Sequence, residues 1–190
     1  MKTFCLRAAS AALLLAPAAA FAAVPGPWTG PYVGIQAGLN KTSVNNFSSE
    51  SAFTTGLRAG YNVQLSDHFA VGGDVFYEWN QDKDHRTCFA PGNCGSVNMG
   101  SNAYGIDGLI GFPVGLANNL MPYIKVGYGH LDVTGDNVSG SDNHLRYGAG
   151  LEWMLGDSLG LTFQYTYAKY GDDVGDWKNS NFVVGVNFHF

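Results

Sequence analysis

The amino-acid sequence predicts an all-β protein: an eight-stranded antiparallel up-and-down transmembrane β-barrel, preceded by a cleaved signal peptide. Three observations carry this prediction: an export leader, apolar and polar residues that alternate with period two, and connections that alternate between long and short. The 190 residues are enough for one domain. We therefore divide the chain into a signal peptide, residues 1–22, and a barrel domain, residues 23–190.

The leader has the three parts of a secretory signal peptide. Lys2 and Arg7 form a basic start, and an apolar stretch follows up to residue 21. Ala20-Phe21-Ala22 places small residues at both positions of a cleavage site, so we expect cleavage after Ala22. The alternative, a membrane anchor, is disfavoured because the apolar stretch is short and Pro17 interrupts it.

The composition is unusual for a soluble domain. Charged residues make up only 13% of the chain, against roughly 25% in ordinary soluble domains, while aromatic residues reach 14% and glycines number 26. Without Lys2 and Arg7 the chain keeps eight basic against 15 acidic residues, a formal charge of −7, which argues against nucleic acid as a partner. No stretch after the leader is apolar enough for a transmembrane helix. These features indicate an all-β protein with unusual surfaces.

Eight segments alternate with the period of a β-strand. On the second, residues at odd positions from Phe53 to Leu65 are mostly apolar, and those between them are small or polar. Phe76 and Leu109 are the two exceptions, because they fall on the polar face. The segments lie around residues 32–39, 53–65, 69–80, 103–112, 123–129, 144–153, 159–168 and 182–190. Each is near the 9 to 11 residues or so that cross a bilayer at a tilt.

The connections alternate in length. Residues 40–51, 81–98, 132–142 and 170–180 are long and polar, 66–68 and 156–158 are tight, and 113–119 is intermediate. Long external loops and short periplasmic turns are typical of outer-membrane barrels, and an even strand number puts both termini on the periplasmic side.

Volume predicts which face meets lipid. Eight strands enclose a space that side chains only just fill, and the large apolar residues would overfill it, whereas the small polar face fits. The apolar face should therefore point outward, with aromatic residues in two belts at the membrane interfaces. The alternative is a soluble β-barrel or sandwich with the apolar face inside.

Several segments resemble one family. Residues 28–38 (WTGPYVGIQAG) resemble the opening strand of the OmpA-like, opacity-type outer-membrane barrels, and residues 147–153 and 161–167 resemble their sixth and seventh strands. Phe188-His-Phe190 resembles the C-terminal aromatic signal read by the barrel-assembly machinery. The resemblance is to the stand-alone, OmpX-like barrels, and it implies roles in surface integrity, adhesion or host interaction.

Charged residues on the polar face should form a network in the barrel interior, because isolated burial of a charge is expensive. The residues are Arg58, Asp74, Glu78, Asp107, Lys125, Arg146 and Glu152. Such a network plugs the lumen. The alternative is a narrow path for ions, since a wide channel requires about 16 strands.

Two cysteines follow the leader, Cys88 and Cys94, in a stretch rich in turn-forming residues. In an exported protein we expect them to form a disulfide that shapes the loop. The alternative is two free thiols.

Candidate catalytic and metal-binding residues are sparse. A barrel-type lipid A deacylase uses a His-x-Ser pair, which is absent here. His130 and Asp132 suggest a protease dyad, but barrel proteases of that kind have ten strands. Asp172, Asp173 and Asp176 form an acidic cluster that suits either a divalent cation or, as the simpler interpretation, a solvated loop. We expect no catalysis, no cofactor and no metal site.

The sequence thus predicts a non-catalytic integral barrel of the Gram-negative outer membrane that supports the envelope and presents four external loops. The expected partners are outer-membrane lipid and lipopolysaccharide, the barrel-assembly machinery, and a host surface or matrix ligand contacted through loops that contain Phe47, Phe89 and Trp177. The alternative functions are a narrow pore for ions or small solutes and, less favoured, a lipid A-modifying enzyme.

Overall fold

A computed structural model of the protein describes residues 26–44, 50–90, 93–115, 119–135, 139–170 and 177–190. These residues form eight β-strands, and the predicted signal peptide, residues 1–22, lies outside them. The strands are β1 (Gly30–Val44), β2 (Glu50–Ser66), β3 (Phe69–Ala90), β4 (Asn93–Gly111), β5 (Leu120–Gly135), β6 (Ser139–Met154), β7 (Leu159–Tyr170) and β8 (Trp177–His189). Among the described residues, no helix is long and apolar enough to cross a membrane.

The strands close into one antiparallel barrel in which each strand pairs with its neighbours in sequence and β1 pairs with β8. This confirms the predicted strand number, order and direction. Closure leaves no sheet edge, so the paired backbone groups of the wall are satisfied without water. One end, here the turn end, carries the tight connections and both Gly30 and Phe190. The other, the loop end, is where β1, β3, β5 and β7 finish.

Side chains alternate across the wall as the period-two pattern predicts. Large apolar side chains face outward and are exposed, as in Ile35 at 63%, Ile106 at 62% and Leu145 at 57%. The polar face points inward and is buried, and the two exceptions, Phe76 and Leu109, are buried with it. The polarity is therefore the inverse of a soluble barrel, as the volume argument predicted.

The predicted strands were too short, because the strands of the structure have 12 to 22 residues. The largest error is the connection predicted at residues 81–98. There β3 continues to Ala90 and β4 begins at Asn93, so most of this segment is a β-hairpin. The wall-forming pairs of β3 end at Thr54↔Asn80, and beyond them β3 and β4 pair with each other. The sequence prediction missed these strand segments because they are polar and rich in turn-forming residues. Each of them pairs with one neighbouring strand only.

Candidate functional site

The interior of the barrel is the most strongly built polar region of the molecule. At its centre Arg58 forms a buried ion pair with Asp74. The Asp74 carboxylate also accepts a hydrogen bond from the Tyr32 hydroxyl at 2.8 Å. Arg58 donates a second bond across the lumen, to Gln164 Oε1 at 3.3 Å. These contacts join β1, β2, β3 and β7, so this layer spans the lumen from wall to wall.

The next layer contains the other two basic side chains of the interior. Lys125 forms an ion pair with Asp107 and donates to Gln164 Oε1 at 3.1 Å. Arg146 Nη2 lies 3.1 Å from Glu78 Oε1, and Arg146 Nε lies 3.5 Å from Asp107 Oδ1. Each of the predicted basic residues therefore lies beside a carboxylate, as burial of charge requires.

Neutral groups complete this layer. Gln36 Nε2 donates to Glu78 Oε1 at 3.1 Å, and Asn181 Nδ2 donates to Glu78 Oε2 at 3.3 Å. The guanidinium carbon of Arg146 lies 3.8 Å from the centre of the Phe76 ring, which is a cation–π contact. Phe76, an exception in the alternation, is therefore a partner of the charge network.

Glu152 lies apart from the other predicted network residues. Its Oε1 accepts a hydrogen bond from Asn187 Nδ2 at 2.8 Å and lies 2.8 Å from His189 Nε2. The partner of the fourth carboxylate is thus a histidine, which sequence reasoning missed. The inward register of His189, one position before the C-terminal Phe190, was the signal available for it.

An apolar plug closes the turn end below Glu152. Trp28 is fully buried and packs with Ala70, Met121 and Met154. Its ring also meets the His189 ring edge-on, with 6.1 Å between centroids. The entering chain is fixed to the wall, because the Gln64 backbone N–H donates to Thr29 Oγ1 at 3.0 Å.

A chain of amides and hydroxyls narrows the interior at the loop end. Asn179 Nδ2 donates to Asn40 Oδ1 at 2.7 Å, Asn40 Nδ2 donates to Asn80 Oδ1 at 3.1 Å, and Asn80 Nδ2 donates to Ser101 Oγ at 3.0 Å. The space left between this chain and Arg146 is about 10 Å³. That is about the volume a single water needs, so this part of the interior holds at most about one water.

His130 and Asp132, the suggested dyad, are in contact on the outer face rather than inside. His130 Nε2 lies 3.1 Å from Asp132 Oδ1, and His130 Nδ1 lies 2.8 Å from Asn143 Oδ1. The ring also lies beside Tyr104, at 5.2 Å between centroids. Both ring nitrogens are engaged, so neither is placed to activate a nucleophile in this arrangement.

The remaining sequence predictions fall partly outside the described part of the chain. The backbone register places Cys88 directly opposite Cys94. Asp172, Asp173, Asp176 and Phe47 lie outside the described residues, as do the side chains of Phe89 and Trp177. Among the described residues, no group of three or more His, Cys, Asp or Glu side chains is placed to hold a metal ion. The two terminal aromatics point outward, with ring centroids 5.0 Å apart.

Comparison with known protein families agrees with the barrel fold described above. Residues 8–190 match the family model described as the outer membrane protein beta-barrel domain. The chain belongs to this family. The resemblance noted in its strands is thereby confirmed, and with it the general placement of the barrel in the Gram-negative outer membrane. No curated protein sequence matches the chain.

Solved structures show the same fold at low sequence identity. Neisserial surface protein A, NspA, is 18% identical, with a TM-score of 0.65 over 85% of this chain and 98% of that one. Ail, the attachment invasion locus protein of Yersinia pestis, is 15% identical, with a TM-score of 0.59 over 85% and 99%. The outer membrane enzyme PagL is 14% identical, with a TM-score of 0.52 over 83% and 99%. At these identities the likeness extends to the fold alone.

Proposed function

We propose that this protein is a non-catalytic outer-membrane barrel that supports the envelope and presents its loop end for adhesion or host contact. The observation that carries the proposal is an interior bridged by buried side chains. The Arg58–Gln164 hydrogen bond and the Arg146–Glu78 ion pair cross the lumen, and Trp28 closes the turn end. A barrel closed in this way is a rigid platform, whereas a porin requires an aqueous lumen.

The loop end is the external end in this proposal. Residues 1–22 are the export leader, so the mature chain begins on the periplasmic side and the turn end stays there. Among the described strands β3 and β4 are the longest, and their hairpin continues beyond the wall at this end up to Ala90 and Asn93. The neighbours supply a precedent for such contact, because Ail has been crystallised with the heparin analogue sucrose octasulfate.

We also propose that Cys88 and Cys94 form a disulfide near the tip of this hairpin. Residues directly opposite in antiparallel strands have Cα atoms about 4.5 or 5.5 Å apart, which is within the range that a disulfide bridges. The bond stiffens the segment that a partner meets first. Mass spectrometry of the unreduced protein should find both thiols oxidised, and two free thiols would reject this part of the proposal.

Assembly completes the proposal. Phe188 and Phe190 are exposed on the outer face at 46% and 71%, and we assign them to recognition by the barrel-assembly machinery. The lipid partners are the outer-membrane lipids, including lipopolysaccharide, which meet the apolar band of the wall.

A deletion of the hairpin tip tests the adhesive role. Replacing residues 84–98 by Asn-Gly closes β3 and β4 with a two-residue turn next to the pair Lys83↔Met99. Cells that display this variant should lose adhesion to host cells or matrix while keeping a heat-modifiable barrel in the outer-membrane fraction. Undiminished adhesion by the variant contradicts the role of the hairpin. A steady conductance of the wild-type barrel in planar bilayers would favour the pore instead.

A further inference from the structure

The first and last strands meet at the turn end of the barrel, where the C-terminal residues are held on both sides. The register places His189 of β8 directly opposite Tyr32 of β1. The Phe190 backbone N–H donates to the Pro31 carbonyl oxygen at 3.1 Å, and the His189 backbone N–H donates to the Ser158 carbonyl oxygen at 2.8 Å. The last two residues are therefore bonded to β1 on one side and to the turn between β6 and β7 on the other.

The imidazole of His189 is buried inside this junction, with 4% of the residue exposed. Its ring is stacked on the Tyr32 ring, with 5.4 Å between centroids, and it meets the Trp28 ring edge-on at 6.1 Å. Its Nε2 lies 2.8 Å from Glu152 Oε1, the carboxylate oxygen that also accepts a hydrogen bond from Asn187. The segment before β1, β1 itself and β6 thus all contribute a side chain that contacts this one residue of β8.

Gly30 allows the two ends of the chain to approach closely. Its φ is +146°, a conformation that favours glycine, and a Cβ at this position would lie 2.8 Å from the Phe190 carbonyl oxygen. A residue with a side chain would be strained there and would displace the C-terminal residue from β1. The seam between β1 and β8 is therefore shaped to accept the end of β8.

The contacts of His189 form in two steps. Glu152 belongs to β6, which is close to β8 along the chain, so its contact with His189 requires only the sheet of β6, β7 and β8. Trp28 and Tyr32 lie at the opposite end of the domain, and the entropy of closing so long a loop opposes their approach to His189. The two ring contacts therefore form only when β1 and β8 pair, which is the step that closes the barrel.

We propose that His189 is the latch of the β1–β8 seam. Glu152 positions the imidazole on the inner face of the β6–β7–β8 sheet, and the space between Trp28 and Tyr32 receives it when the barrel closes. Backbone hydrogen bonds join every pair of neighbouring strands in the same way, whereas this buried polar and aromatic contact is complete only in the closed barrel. The latch therefore stabilises the closed state and leaves the earlier steps of folding unchanged.

The latch gives the end of β8 two faces with different roles. Phe188 and Phe190 point outward, and His189 between them points inward. This part of the inference rests on the proposed function, because it takes the two phenylalanines as the surface that the barrel-assembly machinery holds. While the outward rings are held, the inward face is available to meet β1. His189 can then enter its position before the machinery releases the strand, and the chain itself keeps the seam closed afterwards.

A general packing role for a buried histidine is the competing explanation, and His144 provides the comparison. His144 is also 4% exposed and points into the barrel, but it lies on β6 and pairs in register with Gly129 of β5, away from the seam. A packing role predicts the same kind of effect when either imidazole is removed. A latch predicts that the loss of His189 affects the seam and that the loss of His144 does not.

The test compares His189→Ala with His144→Ala in protein purified from outer membranes and refolded from urea into phosphatidylcholine vesicles. In His189→Ala the unfolding rate should rise roughly 10- to 100-fold, because a buried carboxylate loses its partner, while the folding rate stays within about twofold of the wild type. Amide hydrogen exchange should accelerate in β1 and β8 near the pair Tyr32↔His189 and stay unchanged in β3, β4 and β5. In His144→Ala, exchange at the seam should match the wild type.

A second variant, His189→Gln, keeps a donor for Glu152 but removes the ring, so its unfolding rate should be intermediate. It also carries the comparison if the alanine variant does not fold. An unchanged unfolding rate in His189→Ala overturns the inference, and so does faster exchange at the seam in His144→Ala, which would leave only packing. A folding rate that falls as far as the unfolding rate rises, or failure of both His189 variants to form a barrel, would place the contact before closure and overturn it as well.

A measurement in cells separates the latch from the role proposed for the two phenylalanines. Cross-links between β8 and the barrel-assembly machinery should persist longer in His189→Ala than in the wild type, whereas Phe188→Ala/Phe190→Ala should form fewer of them. Fewer cross-links in His189→Ala would make the histidine part of the recognised surface and overturn the latch. If the double phenylalanine variant forms cross-links normally while the results in vesicles hold, the assembly role of Phe188 and Phe190 is rejected and the latch is retained.

Discussion

The molecule contains two groups of three basic side chains, one inside the barrel and one on its outer face, and their charges are arranged in opposite ways. Inside the barrel, Arg58, Lys125 and Arg146 each lie beside a carboxylate and are almost fully buried. On the outer face near the loop end, Lys41, Lys169 and Lys178, here called the cationic rim, lie close together, with Lys169 directly opposite Lys178. The interior pairs opposite charges, whereas the rim places like charges side by side.

The difference follows from the surroundings. A charge in a narrow interior has lost its water, so an unpaired one costs several kcal/mol and is selected against. At the exposed surface the lysines keep water, so repulsion between them is worth only tenths of a kcal/mol. The same residue types therefore need fixed partners of opposite charge in the interior, whereas the surface tolerates neighbours of like charge.

The largest expected effect comes from breaking the interior group. In Glu78→Ala the Arg146 guanidinium loses the nearer of its two carboxylates and keeps only Asp107, and Gln36 and Asn181 lose their acceptor. Removing one member of a buried pair costs about 3–5 kcal/mol, so the free energy of unfolding should fall by that amount. Urea unfolding of the protein refolded in vesicles measures it.

Two controls define what the result means. Glu78→Gln keeps an acceptor oxygen but no charge, so it should be intermediate. Neutralising the cationic rim should cost far less, because those side chains are exposed. A loss below about 1 kcal/mol in Glu78→Ala, the scale of an exposed pair, contradicts the view of the interior as a stabilising network.

A second expected effect compares two glycines on opposite faces. An added Cβ at the inward Gly60 would lie 2.5 Å from the Gly73 carbonyl oxygen and 2.7 Å from both Asp74 Cβ and Tyr32 Cζ, whereas at the outward Gly108 the nearest atom is Val126 O at 3.8 Å. Gly60→Ala should therefore cost about 1–3 kcal/mol by overpacking. Gly108→Ala should be neutral or stabilise by up to about 1 kcal/mol, since it restricts the unfolded chain.

The same unfolding assay checks the pair, and each variant is the other's control because the chemical change is identical. Equal costs for the two substitutions would show that the interior is not tightly filled. That outcome would reopen the narrow-pore alternative, because a lumen with spare volume admits more than one water.

Whether the sequence predicts a structural feature depends on how far apart along the chain the interacting residues lie. The strand order, the outward polarity and the seven interior charges follow from two properties of the sequence. Period-two alternation is a local pattern, and the volume argument uses the composition of all eight strands. Ion pairs that cross the lumen depend instead on which strands face each other there, whereas Arg58–Asp74 and Lys125–Asp107 join strands that are neighbours in sequence. Arg146 lies beside Glu78, which is 68 residues away, and nothing in either segment indicates that contact.

The sequence was least informative at the two ends of the barrel. Trp28 precedes β1 and has no alternating neighbours, so its role as a plug required the closed structure. The hairpin of β3 and β4 contains turn-forming residues that mimic a loop. The cationic rim was missed because Lys169 and Lys178 flank a connection, and only the register shows that they are opposite each other and close to Lys41.

The smallest expected effect concerns the electrostatic repulsion between Lys169 and Lys178 and its effect on the free energy of unfolding. Lys178→Glu replaces a like-charged cross-strand pair with an opposite one, and such pairs are worth roughly 0.2–1 kcal/mol. In detergent free of lipopolysaccharide, the unfolding free energy should rise by that amount, and high salt should remove the gain because the site is exposed. Lys83→Glu on the hairpin is the control for net charge alone. A Lys178→Glu variant that is no more stable than the wild type would show that Lys169 and Lys178 do not destabilise each other.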